Sequence, residues 1–248
     1  MNIMLIDVIV LTKNSELHLE KCLKAIYENI PINNLVIVDG FSTDKTMNIV
    51  LQFKKKYDNV LIIKDDGNRA TSRQKGIKKV KTDWFMFVDS DVVLCKDWFI
   101  KAKPFLKKNV GLVWGIEVWS TLHNKKTLKA FLLITRRIFQ IRGGTHDTLI
   151  RTKLVKDIVI PEKLHVFEDA FIKDWVTKKG YLSVPCYSPF CIHYRPQKVW
   201  TLKGSLAIIM ESLKLGRLSL LTQLSLAYGF YAIYSIYQLL TRKNMTLI

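Results

Sequence analysis

Two aspartates separated by one serine, Asp89 and Asp91, follow the apolar run "WFMFV". Carboxylates at this spacing can supply two hard oxygen ligands to one divalent cation. Mg²⁺ and Mn²⁺ typically take one or two carboxylates and complete their coordination with water and substrate phosphates. Such a cation suits a nucleotide diphosphate leaving group, because it neutralises the charge that develops when the bond from diphosphate to carbon breaks.

Further acids follow other apolar runs in the same way. Asp39 closes "LVIV", and Asp65 and Asp66 follow "VLIIK". A single aspartate after a strand is as often a loop residue as a functional one, and an isolated D-x-D pair recurs by chance. Three strands that deliver carboxylates to one edge of a sheet are a stronger signal. The interpretation therefore depends on the elements that carry the acids.

Strand and helix patterns alternate before residue 110. Apolar runs of strand length occur in "DVIVLT", "NLVIVDG", "NVLIIKDD" and "DWFMFVDSD", and helical patterns lie between them in "LHLEKCLKAIYENI", "STDKTMNIVLQFKKKY" and "ATSRQKGIKKV". This alternation predicts an α/β, Rossmann-like, mostly parallel sheet with helices on both faces. Ligands bind such sheets beyond the carboxyl ends of the strands, where the acids fall. Ser15 is the predicted cap of the first helix.

The pattern is looser after residue 110. We expect a bent strand or strand pair in "VGLVWGIEVW", a helix in "KKTLKAFLLITRRIF", a strand and short helix in "GGTHDTLIRTKLV", and extended chain in "SVPCYSPFCIHYRP". The segment "FEDAFIKDWVTKKG" predicts a helix that begins at Glu168 and Asp169 and ends at Gly180, as helix-dipole and C-cap preferences favour.

Composition limits the class of protein. At 248 residues and 49% hydrophobic, the chain can form one large α/β domain with an appendage. The formal charge of +18 favours anionic partners, whether nucleic acid, nucleotide phosphates or a membrane surface. The four cysteines form no CxxC pair, which favours reduced thiols in a cytosolic protein. The start "MNIMLIDVIV" has no basic leader and contains Asp7, so it predicts a buried strand rather than a signal peptide.

Composition changes again near Val199, which predicts a domain over residues 1–198 and helices over residues 199–248. Residues 218–240 contain no charged side chain and are flanked by Arg217 on one side and by Arg242 and Lys243 on the other. At about 1.5 Å per residue this stretch is long enough to cross a bilayer. Its tyrosines favour the membrane interface. We expect a helical tail that associates with a membrane, and the alternative is a helix docked on the domain or on a second subunit.

The order of motifs over about the first 195 residues resembles the family 2 glycosyltransferases. "VIVLTKNSE" resembles their opening strand and Thr-x-Asn-Glu turn, and "VIVDGFSTDKT" resembles the Val-Asp-x-x-Ser-x-Asp-x-Thr segment. "GNRATSRQKGI", "DWFMFVDSDV", "GGTHDTLIR" and "FEDAFI" resemble the Ala-Arg-Asn helix, the metal-site strand, the acceptor-side strand and the Glu-Asp helix start. The resemblance implies the GT-A fold and inverting transfer of a sugar from a nucleotide diphosphate to an acceptor.

The resemblance also implies roles for individual residues. The implied donor-binding residues are Thr12, Asn14, Asp39, Asp44, Arg73 and Asp89. The implied ligands of a Mn²⁺ or Mg²⁺ ion are Asp91, Asp89 and His193. Asp169 is the implied general base, with Glu168 beside it positioning the acceptor or the helix. The alternative for His193 is a hydrogen-bonded structural histidine. His146 and His165 are expected only in a loop or at the acceptor rim.

The chain departs from the family pattern in three places. Gln74 replaces the asparagine after Arg73, and Ser15 stands where an acid is frequent, which leaves Glu16 to supply one. No Gln-x-x-Arg-Trp motif follows the Glu-Asp pair, which disfavours processive polymer synthesis. The expected enzyme is thus a non-processive glycosyltransferase of the hexosyltransferase type. It would be a cytoplasmic protein at the cytosolic membrane face, peripheral or held by a single helix, and would act on a hydroxyl, or alternatively a phosphate, of a glycan or lipid-linked acceptor.

Two other functions compete with a glycosyltransferase. A sugar nucleotidyltransferase also uses a metal at the end of a sheet, but "LTKNSELH" has no glycine-rich, arginine-containing loop. A basic membrane-bound scaffold or nucleic-acid binder would use lysines such as Lys54 to Lys56 and Lys107. No nucleic-acid-binding motif accompanies those lysines, so we expect no nucleic-acid partner and a solvated helix surface.

Overall fold

The computed structural model describes residues 4–120, 145–164 and 167–194. The strands are β1 Ile6–Thr12, β2 Ile32–Asp39, β3 Val60–Lys64, β4 Trp84–Asp89, β5 Val92–Leu94, β6 Val110–Trp119, β7 Asp147–Arg151 and β8 Leu182–His193. The α-helices are α1 Leu19–Asn29, α2 Thr46–Lys56, α3 Arg69–Lys79, α4 Trp98–Ala102 and α5 Glu168–Lys178, with short 3-10 helices at Lys103–Phe105 and Thr152–Leu154.

All eight strands form one sheet in the order β3-β2-β1-β4-β7-β6-β8-β5. The first four strands of this order are parallel to one another, β7 is antiparallel to both β4 and β6, and β6 and β8 are parallel. The predicted parallel α/β sheet is confirmed, and the second half of the chain makes it a mixed sheet.

The strands are apolar on both faces because both faces are covered. On β1, Val8 and Val10 belong to one buried cluster with α1, while Ile9 between them belongs to the other with Ile77 of α3. Alternate residues of a strand point to opposite faces, so a strand between two layers must be apolar throughout. Gly76 lets α3 lie close to β1, since a Cβ there would come within 2.7 Å of the Ile9 side chain.

The predicted cap of the first helix is wrong. Residues 16–18 form a turn, and α1 begins only at Leu19. The backbone carbonyl of Ser15 accepts hydrogen bonds from His18 and Leu19, while its hydroxyl lies 2.9 Å from that of Ser90. The side chain therefore joins the loop at the sheet edge instead of the helix. α3 has a true cap, because the Asn68 side chain accepts from the amides of Ala70 and Thr71.

Most of the later expectations are confirmed where the chain is described. The segment after residue 110 is the single strand β6, with a register shift between Trp114 and Ile116 that marks the bend. α5 begins at Glu168, and Gly180 follows it with φ of 82°. β1 is the buried strand predicted near the N-terminus, and all four cysteines are free and buried.

Two predicted features lie outside the described residues: the helix over residues 125–139 and the helices over residues 199–248. In residues 4–120, 145–164 and 167–194, no helix is long and apolar enough to cross a membrane.

Candidate active site

The carboxyl ends of the central strands bring their acids to one edge of the sheet. Thr12 of β1 pairs with Asp39 of β2, and Leu11 of β1 pairs with Asp89 of β4. β7 runs in the opposite direction, and its first residue, Asp147, pairs with Val88. The edge therefore brings together carboxylates from β2, β4 and β7; the sequence predicted Asp39 and Asp89 here, but it did not predict Asp147.

Asp89, Asp91 and His193 each place one ligand atom within 4.8 Å of the others. The His193 Nε2 lies 3.1 Å from an Asp91 oxygen. Backbone pairing fixes this meeting, because Val92 pairs with His193 and the Tyr194 amide donates to the Asp91 carbonyl.

These three groups fit a divalent cation. A cation about 2.1 Å from each of two ligands holds them within about 4.2 Å of each other, which small side-chain rotations achieve here. Two carboxylate oxygens and one imidazole nitrogen suit Mn²⁺, which accepts nitrogen ligands. Both aspartates are about one-third exposed, at 32% and 31%, so a ligand can reach them from solvent.

The charges of this group support one another. Burial lowers the pKa of His193, but hydrogen bonds with Asp91 and Glu117 outweigh burial and raise the pKa to about 9. Burial raises the pKa of the Asp89 carboxyl, but the charges of Arg73 and His193 hold the pKa below its ordinary value. Asp89 is therefore ionised at neutral pH.

Arg73 joins the end of β4 to the start of α5. Its Nε donates to Glu168 at 3.2 Å and its second guanidinium nitrogen donates to Asp89 at 3.4 Å. The guanidinium also lies 4.8 Å from the centre of the Phe87 ring. Only 5% of the Arg73 side chain is exposed, so its charge is offset by the two carboxylates rather than by water.

The two acids of the Glu-Asp pair have different environments. Glu168 is buried, and burial raises its carboxyl pKa although the Arg73 charge opposes this. Its Oε2 has no hydrogen-bond partner among the described residues. Asp169 is half-buried in the first turn of α5, where one of its oxygens accepts from the Ala170 amide at 2.6 Å. Asp169 is thus the member of the pair that an incoming molecule can reach.

Asp39 is the centre of a second polar group. Its carboxylate is completely buried and accepts hydrogen bonds from Thr12, Ser42 and Lys64, the last at 2.6 Å. Burial raises the pKa of Asp39, but these hydrogen bonds hold it below its ordinary value. The Lys64 ammonium also lies 5.6 Å from the ring centre of Phe41.

Sequence reasoning missed Phe41. Its side chain is 56% exposed, and its backbone φ of 57° lies in the left-handed region, which is unfavourable for a bulky residue. An exposed aromatic side chain on a strained backbone, beside a buried carboxylate, is the kind of outlier that functional loops contain. The signal available in the sequence was a large apolar residue between Gly40 and Ser42 in an otherwise polar turn.

Asn14 and Asp44 build the loop around Asp39. The Asn14 side-chain oxygen accepts from the Thr43 amide at 2.9 Å, and Asp44 accepts from the amides of Thr46 and Glu16. Asn14 itself has φ of 49°. The structure therefore places both predicted donor residues at the same edge, with these side-chain oxygens bonded to backbone amides.

Asp65 lies at the end of β3 but belongs to the scaffold. It is buried and accepts hydrogen bonds from Thr71, Ser72 and Lys75, all on α3. These partners outweigh the effect of burial and lower its pKa to about 2. Asp66 beside it is exposed. The third strand thus anchors a helix with its acid instead of delivering it to the cluster of Asp89 and Asp91.

Three further polar residues near the cation group were not predicted. Glu117 of β6 is 2.9 Å from His193, and His146 lies between Glu117 and Asp147 of β7. His146 is buried immediately before β7 rather than at an exposed rim, and His165 lies outside the described residues. The available signal was a charged residue within the apolar strand "GIEVW" and another at the start of "DTLIR".

Solved structures share this architecture. A Staphylococcus aureus TarS fragment in complex with UDP-GlcNAc matches with a TM-score of 0.57 at 22% identity, over 78% of this chain and 60% of that one. A mannosyltransferase from Pyrobaculum calidifontis, in complex with GDP-Man and Mn²⁺, matches with a TM-score of 0.60 at 18% identity, over 78% of this chain and 57% of that one. The fold is thus that of the GT-A glycosyltransferases, and this confirms the predicted fold class.

The family follows from the sequence comparison. The family model described as glycosyl transferase family 2 matches residues 7–154, more than half of the chain. The chain belongs to glycosyl transferase family 2. This confirms the predicted family and the predicted class of enzyme.

Relatives of known activity are larger proteins. The poly(ribitol-phosphate) beta-N-acetylglucosaminyltransferase TarS of S. aureus is 29% identical over 195 residues, which is 71% of this chain and 32% of TarS. The poly(ribitol-phosphate) beta-glucosyltransferase of Bacillus spizizenii is 31% identical over 112 residues, which is 43% of this chain and 18% of that relative. The chain therefore spans at most about a third of the length of these two relatives.

Proposed function

We propose that the chain is a metal-dependent, inverting glycosyltransferase of the non-processive hexosyl type. It would transfer a sugar from a nucleotide diphosphate to a hydroxyl of a glycan or lipid-linked acceptor. The observation that carries the proposal is the meeting of Asp89, Asp91 and His193 within 4.8 Å at the strand edge, next to the buried Arg73 and Glu168. Family membership favours this function over a nucleotidyltransferase or a non-enzymatic scaffold.

The cation site would consist of Asp89, Asp91 and His193, with Mn²⁺ favoured over Mg²⁺ by the imidazole. The solved mannosyltransferase with the same fold contains Mn²⁺. When bound, the cation supplies positive charge against the diphosphate as the bond to the sugar breaks. Arg73 would hold Asp89 in place through their hydrogen bond at 3.4 Å.

The nucleotide would lie over the ends of β1 and β2. Thr12, Asp39 and Lys64 form the floor of this region, and the exposed ring of Phe41 offers a flat surface against which a base can stack. The Lys64 side chain is 41% exposed and can move from Asp39 toward a ligand. Asn14 and Asp44 would act by fixing the loop that carries Ser42 and Phe41.

Asp169 would serve as the general base. In an inverting transfer, the base takes the proton of the acceptor hydroxyl while that oxygen attacks the anomeric carbon and the diphosphate leaves from the opposite face. Asp169 is half-buried, whereas Glu168 is buried and bonded to Arg73. Glu168 would position the reactants, and its free Oε2 can accept a hydrogen bond from a substrate hydroxyl.

The acceptor we propose is an anionic glycan or a lipid-linked glycan at a membrane surface. Two relatives are named for transfer to poly(ribitol-phosphate), a polyanion rich in hydroxyl groups. The charge of +18 suits such an acceptor and an anionic membrane alike. Residues 199–248 would supply the membrane association.

A ligand panel tests the proposal. Thermal unfolding of the full chain is followed with UDP-, GDP- and dTDP-sugars, with and without Mn²⁺, because a ligand that binds only the native state raises the melting temperature. We expect one nucleotide class to raise it, and to raise it further with Mn²⁺. Failure of all three classes to bind would contradict the proposal.

Asp91→Ala tests the cation site within the same panel. We expect this variant to keep the melting temperature of the free protein, to lose the Mn²⁺-dependent increase and to lose at least about 100-fold in sugar transfer, since a bound cation contributes several kcal/mol of charge stabilisation. Asp157→Ala is the matched control, because Asp157 is exposed and pairs with Lys179. Transfer by Asp91→Ala at the unaltered rate would remove the metal from the mechanism.

A further inference from the structure

A chain of polar side chains leads from the candidate cation site into the core. His193 Nδ1 is 2.9 Å from one oxygen of Glu117, and the other oxygen of Glu117 is 3.7 Å from His146 Nε2. His146 Nδ1 is 2.8 Å from Asp147, whose second oxygen accepts from the Trp98 indole at 2.9 Å. We call Glu117, His146, Asp147 and Trp98 the inner chain.

The inner chain determines which nitrogen of His193 faces the cation site. An ionised carboxylate can only accept hydrogen bonds, so His193 must donate from Nδ1 to Glu117. That bond leaves Nε2 as the nitrogen that faces Asp91 at 3.1 Å. A histidine without such a partner could rotate about its Cβ–Cγ bond and present either nitrogen.

Glu117 has polar residues of the core on the side that faces away from His193. It is 17% exposed and lies on β6, where it pairs in register with Cys191 of β8, two residues before His193. His146 and Asp147 behind it are buried. The Glu117 carboxylate therefore lies between two imidazoles, 2.9 Å from His193 and 3.7 Å from His146, so the orientation of His193 depends on buried residues rather than on a surface loop.

The backbone leaves room for the inner chain at one glycine. A Cβ on Gly115 would lie 2.1 Å from an Asp147 oxygen and 3.0 Å from the Trp98 indole nitrogen. Only glycine lets β6 pass this close to the bond between Asp147 and Trp98. The glycine lies two residues before Glu117. One short segment of β6 therefore supplies the Glu117 carboxylate and leaves space for the hydrogen bond between Asp147 and Trp98.

We propose that Glu117, supported by the inner chain, is a positioning residue that orients His193 for the bound cation. The inference rests on the proposed cation site, and it adds a residue from β6 to those that the family motifs contain. A carboxylate behind a histidine ligand fixes the ring and makes it a better donor, and loss of such a partner typically weakens metal binding about 10–100-fold.

The test measures Mn²⁺ affinity by electron paramagnetic resonance on the full chain, with Mn²⁺ alone as the probe. Glu117→Ala should weaken binding about 10–100-fold. Glu117→Gln keeps an oxygen acceptor at the same reach and should restore most of the affinity. Glu117→Asp keeps the charge but withdraws the acceptor by one methylene, so it should also weaken Mn²⁺ binding. This variant tests the inference if the alanine variant does not fold. Glu28→Ala on the exposed side of α1 is the matched control and should bind as the unaltered protein does.

A second measurement separates positioning from simple support of the fold. The ¹⁵N shifts of His193 in the metal-free protein, recorded above about pH 9 where the neutral ring carries a single proton, report which ring nitrogen carries that proton, and Glu117→Ala should remove the preference for Nδ1. A merely structural role would lower the melting temperature and leave both the affinity and the His193 shifts unchanged, which would overturn the inference. Absence of Mn²⁺ binding by the unaltered protein would instead overturn the proposed function on which it rests.

Discussion

At the scale of single residues, we propose different tasks for two adjacent acids because their surroundings differ. Glu168 and Asp169 follow each other in sequence, yet one is buried against Arg73 and the other is half-exposed. Burial raises the pKa of Glu168, which disfavours its charged form. The half-exposed aspartate keeps access to solvent and to an acceptor, which is what a base for an incoming hydroxyl requires.

Asp169→Asn should therefore separate donor binding from transfer. The amide cannot take a proton, so we expect transfer to a hydroxyl acceptor to fall by about 10²–10⁴-fold, the range of general-base catalysis. Donor binding, measured as the ligand-induced increase in melting temperature, should stay unchanged because the variant keeps the size of the side chain.

Asp174→Asn is the control for that variant, since it removes a carboxylate from the same helix at a half-buried position away from its first turn. We expect this control to transfer sugar at the unaltered rate. Transfer by Asp169→Asn that matches its control would assign the base to another group.

The sequence predicted which residues lie together at the sheet edge where local patterns fix their positions. Asp89 and Asp91 follow an apolar run, and the parallel packing of β1, β2 and β4 brings such strand ends together. Glu117 and His146 could not be assigned in this way, because their approach to His193 depends on the pairing of β6, β7 and β8, and Glu117 lies 76 residues before His193 in the chain. Long-range register is not visible in local spacing.

At the scale of elements, the same kind of residue can serve the scaffold. Asp65 ends β3 as Asp39 ends β2, but its partners Thr71, Ser72 and Lys75 all lie on α3. Sequence position alone does not distinguish the two tasks, because both acids follow an apolar strand. The distinction arises from α3, whose first two turns lie directly over Asp65 and carry Arg73 toward the site.

Asp65→Asn should destabilise the fold in a pH-dependent way. The pKa of Asp65 is about 2 in the folded protein and 3.8 as the reference value, so the unfolded chain binds more protons between these values. The stabilisation is complete above about pH 4 and is lost as the pH falls toward 2. At pH 7 we expect the variant to lose about 1–2 kcal/mol in the free energy of unfolding by urea, allowing for the half-exposed Lys75.

The neighbouring residue supplies the control for this prediction. Asp66→Asn removes the same charge at an exposed position and should change the free energy of unfolding by less than about 0.5 kcal/mol. The difference between the two variants should narrow as the pH is lowered from 7 toward 3. A difference that does not depend on pH would show that Asp65 acts through packing and not through its charge.

At the scale of the whole described domain, the two ends of the central strands differ in the charge of the residues around them. Acids gather at the carboxyl edge of β1, β2 and β4, while the opposite end of β4 borders a cleft of about 560 Å³ whose lining includes four cations, Lys81, Arg151, Lys153 and Lys156, and one acid, Asp83. Arg151 donates to the carbonyls of Val110 and Lys107, and Lys156 donates to that of Val80, so neutral groups hold these two cations. The basic excess of the chain is thus partly collected in one place, about the length of β4 away from the site.

We expect this basic cleft to contribute to the proposed membrane association. The full chain should sediment with vesicles that contain phosphatidylglycerol and not with vesicles of phosphatidylcholine alone, and 0.5 M salt should weaken the binding because it screens surface charge. Each lysine near an anionic surface contributes about 1 kcal/mol, so Lys81→Gln with Lys153→Gln should lower vesicle binding by about tenfold or more. The combination Lys54→Gln with Lys55→Gln removes the same charge from the exposed end of α2 and should have a smaller effect.

Two outcomes would contradict a contribution from the cleft. Equal losses in the two double variants would mean that the net charge of the chain, not the cleft, governs vesicle binding. A chain shortened to residues 1–198 that binds no vesicles would assign the association to the C-terminal segment alone.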